Sequence, residues 1–271
     1  MSGGRVPLAG VVDVTLPSVA RMNDYLLGGK DHYPADRAAC EDLVQLAPGT
    51  RKLTETSHRF LLRAVRRMAL GFGVRQFVCF GAGLPTQVTV HQVAQRADPR
   101  ARVVYVDDDP LVVAHGRAVL EDGRSTLMVQ SASFDAAHVL ELEAVGRVID
   151  VRRPVAVLFV SVLQHLPGEG VCAQVLGDVA QHLAPGSFLA ASQRVSDDAQ
   201  MRRRIGDLMQ EHAVPGWRHV RAPEAVDRIF GHWRLLAPGL ADVARWGGTE
   251  CLAPPQRGRE WFEYGGVARI L

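Results

Sequence analysis

From Ser18 to Leu27 the apolar residues Val19, Met22, Leu26 and Leu27 recur at helical spacing, until Gly28-Gly29 stops the run. Residues 35–46 and 54–70 continue in the same period. In the latter, Phe60, Leu61, Ala64, Val65 and Met68 form one apolar stripe. Residues 1–16 are rich in Gly, Pro and Val without a stable period, which predicts a flexible N-terminus with the fold beginning near Pro17. Residues 17–72 then make a mostly helical section before any strand.

The pattern changes at Gln76–Gly83, a short apolar run ending in glycines, followed by a helical stretch over 85–97. Ala101–Pro110 repeats the logic, a buried strand ending in acids with a helix over 111–122 behind it. A weaker strand at Ser125–Ser131 precedes a helix over 135–145. Pro154–Leu163, the most hydrophobic run in the chain, is followed by a helix at Glu169–Leu183 and a strand at Ser187–Gln193. Strands apolar on both faces belong inside a parallel sheet covered by helices. Beyond residue 194 come helices over 197–211 and 223–230, then two strand-like segments, 235–246 and 261–271, joined by the Pro/Gly-rich TECLAPPQRGRE. The expected fold is α/β and Rossmann-like. It has a seven-stranded, mostly parallel sheet with helices on both faces, an antiparallel last strand and a helical N-terminal extension. Within one domain, 17–271, residues 17–72 form a lid, 73–193 the cofactor-binding βα units, and 194–271 the closing helices and edge strands.

Composition narrows the function classes. With 47% hydrophobic and 22% charged residues, the 271-residue chain is not a disordered or collagen-like one. The net charge is only +2, from 31 Lys and Arg against 29 Asp and Glu, so no nucleic-acid partner is expected. Cys40, Cys79, Cys172 and Cys251 are too far apart for a zinc or redox pair, and free buried thiols are expected, with no metal. No apolar run is long enough for a membrane span, and no cleavable leader precedes the fold, which points to the cytoplasm.

The first strand-to-helix junction, Phe80-Gly81-Ala82-Gly83-Leu84-Pro85-Thr86, lets the backbone turn sharply and approach a ligand, with Pro85 read as opening the next helix. Glycines at such a turn also serve plain packing. Asp107, which ends the next strand 24 residues after Gly83, is placed to accept both hydroxyl hydrogens of an adenosine ribose. A dinucleotide fingerprint would want a third glycine where Thr86 stands, which weakens a nicotinamide reading and favours S-adenosylmethionine. Asp108 would help from the following turn.

The segments PSVARMNDYLLGGKDHYPADRAA, RQFVCFGAGLPTQ, ARVVYVDDDPLVVAHGRAVL, RPVAVLFVSVLQHLPG, LLAPGL and YGGVAR, in order from Pro17 to Arg269, resemble the actinobacterial S-adenosyl methyltransferase family. The resemblance implies a class I methyltransferase that binds S-adenosylmethionine at the carboxyl ends of the first strands and releases S-adenosylhomocysteine. It does not name the small-molecule acceptor. Where methyltransferases of this class usually have an acid two residues before the first glycine, this chain has Cys79. At the end of the third strand, where an acid usually meets the adenine, it has Ser131-Ala132-Ser133-Phe134. Ser131 and Ala132 would border the adenine. Losing one such hydrogen bond weakens binding roughly tenfold without abolishing it.

Gly81, Ala82 and Gly83 would cradle the methionine part of the cofactor, with Ser161 nearby at the end of the fourth strand. In the N-terminal block, Gly28 would act as a hinge, Lys30 would meet the cofactor carboxylate and Asp31 its ammonium. Tyr25 would present an aromatic face to the sulfonium. The alternative for this block is a helix-capping loop with solvated charges. His165 stands where the acceptor would lie and would act as general base, unless alignment alone suffices. The clustering of Trp217, Trp233, Trp246 and Trp261 late in the chain fits either an aromatic acceptor pocket or core packing. The expected activity is methyl transfer to a small molecule. A non-catalytic binding or regulatory protein on a degenerate methyltransferase scaffold is the alternative, motivated by Cys79 and the acid-free end of the third strand. A homodimer is compatible with either.

Overall fold

The structure, a computed structural model, describes residues 12–86, 88–217, 219–231, 233–247 and 260–271. The expectations for residues 1–11, for nearly all of TECLAPPQRGRE and for Cys251 fall outside the described residues. Three helices come first: α1 (Val19–Leu26), α2 (Pro34–Leu46) and α3 (Thr50–Phe72). Five parallel strands follow: β1 (Gln76–Phe80), β2 (Arg102–Asp107), β3 (Thr126–Gln130), β4 (Ala156–Phe159) and β5 (Phe188–Val195). Between them lie α4 (Val90–Ala97), α5 (Pro110–Val119), α6 (Ala136–Glu141), α7 (Glu143–Gly146) and α8 (Glu169–Gln181). The chain closes with α9 (Ala199–Glu211), α10 (Pro223–Phe230) and three antiparallel strands: β6 (Arg234–Leu235), β7 (Ala241–Asp242) and β8 (Phe262–Arg269).

The sheet order is β3-β2-β1-β4-β5-β8-β6, with β7 also paired to β8. The strand order reverses between β1 and β4, and a reversal of this kind opens a crevice at the carboxyl ends of the strands. β1, β4 and β5 are buried along their whole length, which explains their apolar runs, whereas the outer β3 alternates. One face packs Phe60, Val65 and Met68 of α3 against Phe77, Leu158 and Phe188. The other packs Val139, Leu176 and Ile229 of α6, α8 and α10 against Val78, Val104 and Val157. A third cluster, with Met22, Cys40, Leu43, Ile205 and Met209, joins α1 and α2 to α9.

Three elements differ from expectation. Helix α4 starts at Val90, not Pro85, because Thr89 forms a capping box with Gln92 and the Thr86 hydroxyl donates to the Val88 carbonyl. Pro85 therefore sits in a loop and opens no helix, so its missing amide is no argument about phosphate binding at a helix end. The helix expected over 135–145 is broken at Leu142, whose backbone is extended. The strand expected over 235–246 is two short strands, β6 and β7, because Pro238 lacks a donor and Gly239 has φ +91°. With β6 and β7 counted separately, the sheet has eight strands among the described residues. Their common partner β8 comes close enough to its neighbours that a Cβ on Gly265 would stand 2.2 Å from the Ala191 carbonyl oxygen.

The helical extension is fastened by a buried charge pair. Asp36 is fully buried and accepts from the Ser18 amide (2.8 Å), the Tyr33 amide (2.7 Å) and Arg21 Nε (2.9 Å). Arg21, also buried, donates its remaining nitrogens to the carbonyls of Asp13 and Leu16. Residues 13–18 are held against α1 by these bonds. Replacing Asp36 by Ala leaves the Arg21 charge buried without a partner, and the expected loss is about 3–5 kcal/mol in urea unfolding. A loss under about 1 kcal/mol would show that solvent reaches Arg21 and that the pair does not fasten the extension.

Candidate functional site

A cleft of about 760 Å³ opens at the carboxyl ends of the strands, within the range of small-ligand sites. One wall is the N-terminal segment from Val12 to Asn23. The other comes from four strand ends: Gly81 and Gly83 after β1, Asp107–Pro110 after β2, Ala132–Phe134 after β3, and Ser161–Pro167 after β4. Pro215 and Gly216 close the far end.

The glycine turn is tied to β2. Gly81 and Gly83 adopt φ +61° and +66°, conformations that suit glycine. A Cβ on Gly81 would strike Val162 Cγ2 at 2.6 Å, while the space beside Gly83 is open. The Ala82 amide donates to the Val106 carbonyl, and Ala82 packs on the apolar layer and is not part of the cleft wall. The Gly83 amide donates to Asp107 Oδ2 (2.9 Å) and the Asp109 amide to Oδ1 (3.0 Å). Burial nevertheless pushes the Asp107 pKa up to about 6, with the carboxylates of Asp108 and Asp109 adding to the rise. Such a carboxylate is short of donors. Burial also raises the pKa of Asp108. Asp109 caps α5 and accepts from the Ser18 hydroxyl (2.7 Å), which joins the two walls.

Cys79 is buried among apolar side chains, and its thiol is pushed up to about 12, so it is a neutral core group. Cys40 and Cys172 are likewise free and buried. At the end of β3 the Ser131 amide donates to the Asp107 carbonyl, and Ser131 itself is absent from the cleft wall. Ala132 and the exposed ring of Phe134 are present there. At the end of β4, Ser161 has φ +56°, a strained conformation for a residue with a side chain, and its amide donates to Ser192 Oγ. His165 Nδ1–H donates to the Gly216 carbonyl (3.1 Å), so in the neutral ring Nε2 keeps its lone pair. Burial, with Arg194 and Arg221 nearby, pushes the His165 pKa down to about 4.

The N-terminal block is arranged as a capping loop. Gly28 has φ +80°, and Gly29 wraps over Asp24 so closely that a Cβ would stand 1.9 Å from its Oδ1. Asp24 Oδ2 accepts from the Asp31 amide and faces His32 Nδ1. Lys30 is exposed, Asp31 faces His115 at 3.6 Å, and the Tyr25 ring lies under Arg51 with its hydroxyl on Glu41. None of Tyr25, Gly28, Lys30 and Asp31 lines the cleft.

Sequence reasoning passed over Asn23 and Ser18, gave Phe134 no role, and missed the buried polar network that Asn23 joins. Asn23 Oδ1 accepts from Arg194 Nη2 (2.9 Å), and Glu263 accepts from Ser57 (2.9 Å) and Ser192 (2.5 Å). A polar residue at an apolar strand position, Arg194 in β5 and Glu263 in β8, was the available signal. Among the described residues no cluster of three or more His, Cys, Asp and Glu is arranged to hold a metal, and no helix is long and apolar enough to cross a membrane.

A family model described as S-adenosyl methyltransferase matches residues 7–271. A protein of Thermobifida fusca YX, provisionally assigned as a methyltransferase, is 35% identical over 95% of this chain and 96% of its own, with a TM-score of 0.87. A DUF574 family protein of Streptomyces avermitilis MA-4680 is 28% identical over 96% and 99%, with a TM-score of 0.86. The plantazolicin methyltransferase BpumL, 9% identical over 93% and 96% with a TM-score of 0.51, shares the fold alone. Among curated proteins none matches.

His165 generates a pH prediction. Its folded pKa lies near 4 against an ordinary 6.5, so the unfolded chain binds a proton that the folded one refuses. Stability from this group is therefore present above pH 6.5 and lost as pH falls toward 4, by up to about 3 kcal/mol. Urea unfolding at pH 7 and pH 4.5 should show a smaller acid loss in His165→Gln than in the parent. Equal losses would place the ring in solvent.

Proposed function

Because the chain belongs to the S-adenosyl methyltransferase family, it is a methyltransferase that uses S-adenosylmethionine, and we propose that the cleft beside Asp107 binds the cofactor and a small-molecule acceptor together. The carrying observation is the Asp107 carboxylate. Two backbone amides occupy part of its roughly four acceptor sites. Two ribose hydroxyls would supply the donors it is short of and hold it ionised. Gly81, packed on Val162, and Gly83, with open space beside it, would face the methionine part, and Asp108, Ala132 and Phe134 would border the adenine side.

When bound, the cofactor supplies an electrophilic methyl group on a sulfonium. The residues of this chain position the acceptor and keep water out. With its pKa near 4, His165 is a weak base; it accepts a hydrogen bond at Nε2 and orients the acceptor, which assigns catalysis to proximity and alignment. Tyr25, Gly28, Lys30 and Asp31 are left out of cofactor binding, because the loop around Asp24 uses them or turns them to solvent. Free Cys40, Cys79 and Cys172 support a reducing, cytoplasmic setting. The balanced net charge supports a partner other than nucleic acid.

Calorimetric titration with S-adenosylhomocysteine tests this placement. Asp107→Ala should weaken binding by about ten- to a hundredfold, whereas Lys30→Ala should leave it within about twofold. A Lys30→Ala loss as large as that of Asp107→Ala would move the methionine end to the N-terminal block. The pH dependence is a second check. Below pH 6 the free Asp107 carboxyl takes up a proton that ribose binding must displace. Affinity should therefore fall by up to about tenfold per pH unit from pH 6 to pH 5, and a flat profile would contradict a ribose contact.

A further inference from the structure

Resting on the methyltransferase reading above, we propose that the methyl acceptor carries a carboxylate, anchored by Arg194, which lies behind the corner of the cleft formed by Asn23, Ser161 and His165. Arg194 lies near the end of β5, is 2% exposed, and is braced by the rings of Trp261 and Trp217 at 5.2 and 5.8 Å from their centroids. Its Nη2 donates to neutral oxygens, Asn23 Oδ1 at 2.9 Å and Thr54 Oγ1 at 3.4 Å, and its Nε–H has no partner. Among the described residues no carboxylate comes within ion-pair distance of it. Glu263, its buried cross-strand neighbour on β8, offsets the charge of Arg194 in part, but it stands beyond ion-pair distance and already accepts from two serine hydroxyls. A guanidinium this deeply buried is costly unless an anion meets it, and its planar fork suits a carboxylate better than any neutral group.

The unmet donors continue toward the cleft. Trp217 Nε1–H, beside Arg194, has no partner. The Ser161 hydroxyl affects Glu263 without forming a hydrogen bond of ordinary length. Asn23, Ser161 and His165 line the cleft, and Arg194, bonded to Asn23, lies behind that wall and not in it. Across the cleft stand Asp107, Asp108 and Asp109, so an acceptor cation would be drawn to the cofactor end and an anion to the Arg194 end. The cleft also has an apolar lining, with Leu16, Val19, Val171 and Pro215, which suits an aromatic or aliphatic frame behind the carboxylate.

The test is calorimetry on the full chain saturated with S-adenosylhomocysteine, titrated with benzoate, 4-hydroxybenzoate and cinnamate, with the matching amides, and with benzylamine. At least one carboxylate should bind about tenfold or more tighter than its amide, with benzylamine weakest. In Arg194→Met that preference should collapse to within about threefold, while S-adenosylhomocysteine affinity stays within about threefold. Asn23→Ala, which releases one end of the guanidinium without removing the charge, should reduce the preference in part and serves if Arg194→Met does not fold. The proposal is overturned if no carboxylate binds, if amides or benzylamine bind as tightly, or if the preference survives in both variants. Failure of S-adenosylhomocysteine to bind the parent protein would instead sink the cofactor reading. The carboxylate titration of the free protein would then still decide the role of Arg194.

Discussion

The cleft has two walls because one buried carboxylate, Asp36, holds the N-terminal segment in place. Three donors converge on it from α1, from the residue before α1 and from the start of α2, and one of them is the equally buried Arg21. Taking both charges out of water is expensive, and a pair of this kind persists only when further hydrogen bonds satisfy the remaining atoms. Here they do, since Arg21 also caps the carbonyls of Asp13 and Leu16. With residues 13–18 so held, Ser18 reaches Asp109 and Asn23 reaches Arg194. The extension thereby touches both the acid-bearing end of the cleft, at Asp109, and the Arg194 behind its other end.

Between those ends the cleft is electrostatically uneven. Three consecutive acids, Asp107 to Asp109, stand at the end of β2, and burial raises the Asp107 pKa, so donors bound there would relieve a stress already present in the folded chain. At the other end Arg194 is desolvated with its Nε–H unpartnered, and burial, with the charges of Arg194 and Arg221, lowers the pKa of His165. A methyl transfer that brings a cation-bearing cofactor next to an electron-rich acceptor fits such a field.

Much of this was legible in the amino-acid pattern, for a physical reason. Strands buried on both faces read as continuous apolar runs, and Gly81, Gly83 and Asp107 stand at spacings that backbone geometry requires. What escaped depends on contacts distant in sequence. Ser57 meets Glu263 across 206 positions and Asn23 meets Arg194 across 171, and no local period encodes either. The split of the penultimate strand and the late start of α4 were decided by local turn and cap chemistry, at Pro238-Gly239 and Thr89, that competes with an otherwise fitting apolar pattern. In the Tyr25–Tyr33 block the composition and the structure point different ways, and none of Tyr25, Gly28, Lys30 and Asp31 lines the cleft. The block's mixture of aromatic, cation and acid resembles a ligand site, yet Gly29 and Asp24 close it on itself.

The most direct test is a crystal structure of the protein grown with S-adenosylhomocysteine. The account requires both ribose hydroxyls on the Asp107 carboxylate, the adenine between Ala132 and the Phe134 ring, and the homocysteine end over Gly81 and Gly83. Ligand density elsewhere, or a ribose held by other groups while Asp107 keeps only its two backbone amides, would contradict it.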